Sequence, residues 1–257
     1  MYAAYNTMSR VHFNFSKYKR IVSVNNKFSD IHRGERCFIV GTGPSLKHIN
    51  PELLKDEVVF GVNLLYKGDF LNNITPKYYC LYDQVFHTTH LDLTKYIIEL
   101  FPETTFFLRT KAYNNVNEFL RVKNENVYYQ HCNLFQYGDF IDCNLATCMT
   151  APFNVLLGCI QTAIYMGFSE IYLLGSDFNS FATLQLEHYY DKEGGIERTI
   201  SLGFELKYYS MVAYHHYALQ KYAESKGIKI VNLTPGSLLD AYPRESFEHV
   251  ASKKIRC

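Results

Sequence analysis

The sequence predicts a single α/β domain, with a mostly parallel sheet covered by helices on both faces. Three observations carry that reading. Short apolar runs alternate with stretches of helical periodicity, and most of the runs end in glycine-rich or polar clusters. The chain also has 257 residues, 47% of them hydrophobic, which is enough for one large core. Its charge is balanced, with 26 basic against 25 acidic side chains. Disorder is thereby excluded, and the chain lacks the basic field that a nucleic-acid partner would require. Tryptophan is absent, whereas the chain has 22 tyrosines and 19 phenylalanines. Tyrosine suits a site that needs flat apolar walls and hydroxyl donors together.

Residues 1–34 read as a basic N-terminal arm and residues 35–257 as the α/β domain. The arm carries Arg10, Lys17, Lys19, Arg20 and Lys27 against Asp30, interleaved with Phe13, Phe15 and Tyr18. It reads either as a solvated arm packing a few aromatics on the domain or as a surface for anionic lipid headgroups. Cys37–Val40 is the first strand, Val58–Val62 the second and Tyr78–Tyr82 the third. Leu91–Leu100 has helical spacing, Thr105–Leu108 follows as a strand, and Val127–Tyr129 is a weaker one. Val155–Met166, apolar nearly all round, predicts a buried helix. Glu170–Leu174 is the next strand, Leu206–Lys226 a long helix stopped by Gly227, and Lys229–Asn232 the last strand. Residues 179–203 have little apolar periodicity, and so long a segment directly after a strand reads as a lid.

The seven cysteines are odd in number and form no Cys-x-x-Cys pair, so neither a disulfide framework nor a zinc knuckle is expected. With no run of 18 apolar residues and no signal-peptide core, the reading is a cytoplasmic protein, with the inner membrane face as a further expectation.

Ligands of open parallel sheets bind beyond the carboxyl ends of the strands. Four runs here end in Gly41-Thr42-Gly43-Pro44-Ser45, in Asn63, in Asp83 and in Gly175-Ser176-Asp177. The glycine turn reads either as a phosphate cradle at a helix N-terminus or as a plain strand-to-helix turn. Leu46 stands where a dinucleotide fingerprint needs its third glycine, and the Gly-Lys-Ser/Thr of a P-loop is missing. Asn63 and Asp83 could meet ribose or a base edge, or cap a helix; Asp177 could bind the ligand or cap its loop. Asp-x-Asp is absent, so no metal and no cofactor is expected. The lid contributes His188, Tyr189, Tyr190 and Arg198; the hydroxyls and the guanidinium could hold an anionic group such as a phosphate, or the tyrosines could pack the closed lid. Histidine as a residue type is partly neutral at cytosolic pH, so His188 reads as a candidate general base, as a group that only binds the acceptor or as a packed turn residue, with His215 and His216 behind it as bases. Neighbours on a helix point about 100° apart, so only one of His215 and His216 can face a site, and His215 shares its face with packed residues. No Gly-x-Ser-x-Gly elbow supports a hydrolase.

Phe38-Ile39-Val40-Gly41-Thr42-Gly43-Pro44-Ser45-Leu46 resembles the opening of the Campylobacter-type sialyltransferases, glycosyltransferase family 42. Gly61-Val62-Asn63, Tyr82-Asp83, the block Gly167–Phe178 and Pro235-Gly236-Ser237-Leu238-Leu239 fall in the same order. The same blocks resemble the MptE-like group, which includes pterin pyrophosphokinases and presumed envelope glycosyltransferases. The likeness spans roughly residues 35–243. It implies one Rossmann-like nucleotide-binding domain with a lid over about 179–203. For family 42 it further implies inverting, metal-independent transfer of sialic acid from CMP-sialic acid. Nucleotide contacts would fall on Gly41, Thr42, Gly43 and Asn63.

Three positions depart from that family. Asp83 replaces an asparagine, Asn179 stands at the tyrosine that helps the phosphate leave, and the catalytic histidine falls near Ser210. The expected function is therefore a glycosyltransferase using a CMP-linked or other nucleotide sugar and a glycan or glycolipid acceptor. A homo-oligomer is among the expected assemblies. The rival is a pterin pyrophosphokinase using ATP and magnesium.

Overall fold

Strands form where β-branched, aromatic and cysteine side chains cluster in short runs that can be buried on both faces. In the computed structural model, which describes residues 1–120, 126–183, 185–191, 196–197 and 199–253, eight such runs make one sheet. They are β1 Arg36–Val40, β2 Val58–Val62, β3 Tyr78–Leu81, β4 Thr105–Arg109, β5 Val127–Leu134, β6 Cys148–Thr150, β7 Glu170–Leu174 and, last in sequence, Lys229–Asn232. Two-residue strands β8 Gln185–Leu186 and β9 Ile196–Glu197 pair antiparallel apart from it, so Lys229–Asn232 is β10. The order is β10-β7-β1-β2-β3-β4-β5-β6, and every neighbouring pair is parallel. The order reverses at β1, with β2 on one side and β7 on the other. Such a switch point opens a crevice at the carboxyl ends.

The two-residue period of β1 divides the core. Cys37 and Ile39 join the face covered by α5 (Val155–Tyr165) and α6 (Leu202–Ser225). Phe38 and Val40 join the opposite face, covered by α3 (Leu91–Leu100), α4 (Tyr113–Leu120) and α7 (Phe247–Ser252). An α/β sheet covered on both faces is thus what the chain forms.

Several expectations change in detail. The helix expected directly after Ser45 is absent. Pro44–His48 and Pro51–Leu54 are single 3-10 turns, separated by Ile49 in extended geometry. Pro51 lacks the amide an α-helix would need there, so no helix dipole begins at the glycine turn. α6 begins four residues early, capped by the Ser201 side chain on the Phe204 amide. Leu202, Phe204 and Leu206 are exposed, so its first turn carries no amphipathic signal. β6 has only three residues, too few for a periodic pattern.

Residues 1–28, read as an arm packing a few aromatics on the domain, do pack Phe13 there and are helical. They form α1 (Tyr2–Phe15), α2 (Tyr18–Ser23) and a 3-10 turn, Val24–Phe28. Phe13 and Val22 pack against Leu134 and Cys148. Asn25 donates to the carbonyls of Tyr129 and Leu145 at 2.7 and 2.9 Å. Asn6 and Ser9, two of the three residues that α1 buries, are polar, which hides its inward face from hydropathy.

Candidate functional site

A cavity of about 320 Å³ opens where β1, β2 and β7 end. Its first wall is Gly41–Pro44, lying backbone to backbone on the β7 loop. The Gly41 amide donates to Leu174 at 2.8 Å and the Gly43 amide to Gly175 at 2.9 Å. A Cβ on Gly41 would lie 2.5 Å from the Gly175 carbonyl oxygen, and one on Gly43 would lie 1.8 Å from Asp177 Oδ2. These glycines are therefore required by the approach of two loops, whatever the cavity holds.

Asp177 accepts from the Ser45 amide at 3.2 Å and from Ser45 Oγ at 2.7 Å. Burial raises its pKa above the usual carboxylate value, and the Ser45 hydrogen bonds oppose that rise. The loop it stands on is pinned from β10. Thr234 Oγ1 accepts the Ser176 amide at 3.0 Å, and Ser237 Oγ donates to the Ser176 carbonyl at 2.6 Å. The block after the last strand thus holds Ser176 and Asp177 in place without lining the cavity.

The second wall is Asn63, at φ +40°, a region asparagine tolerates better than most side chains. Its Nδ2 donates to Asp83 at 2.7 Å, and its carbonyl accepts the Tyr79 hydroxyl at 2.9 Å. Asn63 lines the cavity; Asp83 and Ser45 stand behind the lining, holding Asn63 and Asp177.

The third wall was not legible as a site. Asn154, Val155 and Leu156 line the cavity, so the N-terminus of α5 faces it. Asn154 Oδ1 caps the helix at the Leu157 amide, 3.0 Å away. The first amides of a helix and its positive end favour an anion. The helix end facing the cavity is thus that of α5, supplied through the asparagine ahead of an apolar run. Tyr208, Tyr209 and Val212 of α6 and Phe178 complete this side. Phe178 holds φ +55°, costly for a bulky residue, and its ring meets Tyr209 edge-on at 4.7 Å. The Tyr208 hydroxyl donates to the Phe153 carbonyl at 2.9 Å, and that of Tyr209 bonds Ser180.

Residues 185–191 lie across the glycine turn. Glu187 and His188 line the cavity, with Lys47 Nζ 2.8 Å from Glu187. His188 Nδ1 is 3.3 Å from Thr42 Oγ1, and its ring stacks on Tyr190 at 5.1 Å. Of the two readings of Tyr189, a phosphate contact or packing of the lid, its position fits the packing: it is buried and does not line the cavity. Its amide donates to the Thr42 carbonyl at 3.1 Å. Its hydroxyl donates to the Leu65 carbonyl and accepts the Gly68 amide. Tyr190 stands behind His188 rather than in the lining. Arg198 lies outside the described residues.

His215 and His216 are both fully buried. Burial lowers the pKa of His215 to about 4 and that of His216 to about 3, the latter helped by the neighbouring His215. His216 Nδ1 pairs with the Tyr242 hydroxyl at 2.8 Å, and His215 Nε2 lies 3.3 Å from Gln161. Neither lines the cavity, and Ser210 is exposed away from it.

The sequence model of the family described as 6-hydroxymethylpterin diphosphokinase MptE-like matches residues 6–181, well over half of the chain. The chain belongs to the MptE-like family. That match starts within α1, so the N-terminal helices belong to the MptE-like span. No curated protein sequence matches this MptE-like chain. Among solved structures it is similar to the sialyltransferase CstII from Campylobacter jejuni in complex with cytidine-5'-monophosphate. The identity is 18% and the TM-score 0.48, over 83% of this chain and 86% of that one. It is also similar to an apo alpha-2,3-sialyltransferase from Campylobacter jejuni, at 17% identity and TM-score 0.45, over 82% and 80% of the two chains.

Proposed function

We propose that this MptE-like chain is an inverting glycosyltransferase that needs no metal. It moves an acidic sugar of the sialic acid type from a CMP-linked donor to a glycan or lipooligosaccharide acceptor. One observation carries the reading. The glycine turn and Asn63 form adjoining walls of one cavity with Gly175–Asp177, more than a hundred residues further along the chain, at the switch point of the sheet. They are three of the blocks on which the family 42 resemblance, and with it the MptE-like one, rests.

In this reading the nucleotide lies against Gly41–Gly43 and Asn63, and its phosphate faces the first turn of α5. Asn154 and the positive helix end stabilise the negative charge that grows on the phosphate as the glycosidic bond breaks. The acceptor hydroxyl attacks the anomeric carbon and passes its proton to the His188 imidazole, while the bonding electron pair leaves on the phosphate oxygen. Tyr190 orients His188 by stacking. Tyr189 anchors the segment that carries both. Among the described residues the two carboxylates in the lining are already partnered, Asp177 by Ser45 and Glu187 by Lys47, which suits transfer without a metal.

The family description favours a second reading, diphosphoryl transfer from ATP to a hydroxymethylpterin. Thermal unfolding with CMP, CDP, UDP, GDP and ATP, each with and without magnesium, separates the two. A ligand that binds only the folded state raises its stability. The transferase reading expects CMP to raise the midpoint without magnesium. Stabilisation by ATP with magnesium alone, with AMP released when a hydroxymethylpterin is added, would replace it by the pyrophosphokinase.

A further inference from the structure

We propose that α1 is a membrane-docking helix that lays Met8, Val11 and Phe15 into the surface of an anionic bilayer. The helix has two opposed faces. Asn6, Ser9 and Phe13 are buried where the helix packs on β5 and β6. Ala4, Met8, Val11 and Phe15, spaced by four, three and four residues, lie on the other side at about 100° per residue. Met8 is 71% exposed, Val11 53% and Phe15 89%. A phenylalanine left almost wholly in water at the end of such a stripe gains most from an apolar phase.

Charge selects the partner. The first 29 residues contain no acidic side chain and five lysines and arginines. Arg10 is tied to Asp142 at 2.6 Å and Lys17 to Asn114 at 2.8 Å. Lys19 and Arg20, just beyond Phe15, are exposed and have no side-chain partner among the described residues. Apolar residues with cations beside them suit the boundary of a negatively charged leaflet.

Area argues against a second copy of the chain as the occupant. A helix of 14 residues is about 21 Å long, so one stripe of it offers roughly 200 Å². A stable protein interface buries about 800 Å² on each partner. A bilayer needs only a few inserted side chains and nearby cations.

Co-sedimentation of the full chain with vesicles tests the proposal. One set is phosphatidylcholine with one-third phosphatidylglycerol, the other phosphatidylcholine alone. Binding is expected only to the anionic vesicles and should weaken with added salt. The double variant Met8→Ser, Phe15→Ser should bind at least about tenfold more weakly. Lys19→Glu with Arg20→Glu should lose about fivefold or more for each cation removed. Because the chain has no tryptophan, Phe15→Trp supplies the one indole, which can be excited apart from the tyrosines, and its fluorescence should shift to the blue on anionic vesicles. Equal binding to both vesicle sets, no binding, or no shift from Phe15→Trp would overturn the proposal. So would a wild-type dimer in solution that Phe15→Ser dissociates.

Discussion

His215 and His216 show how one side chain's surroundings become a property of the whole chain. Both are buried and have lowered pKa values, about 4 and about 3, so the folded state binds them neutral. The unfolded chain takes up their protons near pH 6.5. Their contribution is therefore complete above pH 6.5 and is lost as the pH falls towards 4, because the unfolded state then holds more protons. At pH 5 this amounts to about 2 kcal/mol for each histidine. Between pH 7 and 4.5 the unfolding free energy should fall steeply in the wild type. His215→Gln with His216→Gln should flatten that slope, and an unchanged slope in this variant would contradict the assignment. His188 differs because it lines the cavity with its Nδ1 beside Thr42. As the proton acceptor, its change to alanine should cut turnover by about a hundredfold or more, with CMP affinity little altered. Near-full activity in that variant would move the base elsewhere.

Elements meet at the glycine turn, where the loops after β1 and β7 touch backbone to backbone and the Asp177 side chain crosses to Ser45 beside Gly43. Gly43→Ala tests that contact, since its Cβ would fall 1.8 Å from Asp177 Oδ2. Asp177 must then leave Ser45 or the two loops must part, a strain of about 1–3 kcal/mol. The variant should show a lower unfolding midpoint and weaker nucleotide binding together. Unchanged values of both would mean that the loops yield freely. The 3-10 turn after Pro44 and the α5 N-terminus illustrate why this edge was only half legible. Gly41–Ser45 is a local pattern and was readable as a turn. Which helix end faces the cavity depends on how α5 packs over the sheet, and no local pattern records that.

For the molecule as a whole, the proposed transfer should survive exhaustive chelation with most of its rate intact. Collapse with EDTA and rescue by magnesium would favour the diphosphoryl transfer instead. By itself the sequence determined the α/β class, the bounds of β2, β7, β10 and α3, and the turn residues at strand ends, because each rests on periodicity or on backbone freedom within a few residues. The MptE-like resemblance was readable for the same reason, since its motifs are contiguous blocks. Tertiary structure alone decided that residues 1–28 are helices packed on β5 and β6, for the face α1 buries holds two polar side chains, Asn6 and Ser9, beside Phe13. It also decided that Tyr189 anchors its segment while His188, one residue away, faces the cavity. Adjacent side chains outside regular structure have no fixed relation in direction. Only the carbonyl of Leu65 and the amide of Gly68, more than a hundred residues upstream, settle where the tyrosine hydroxyl goes.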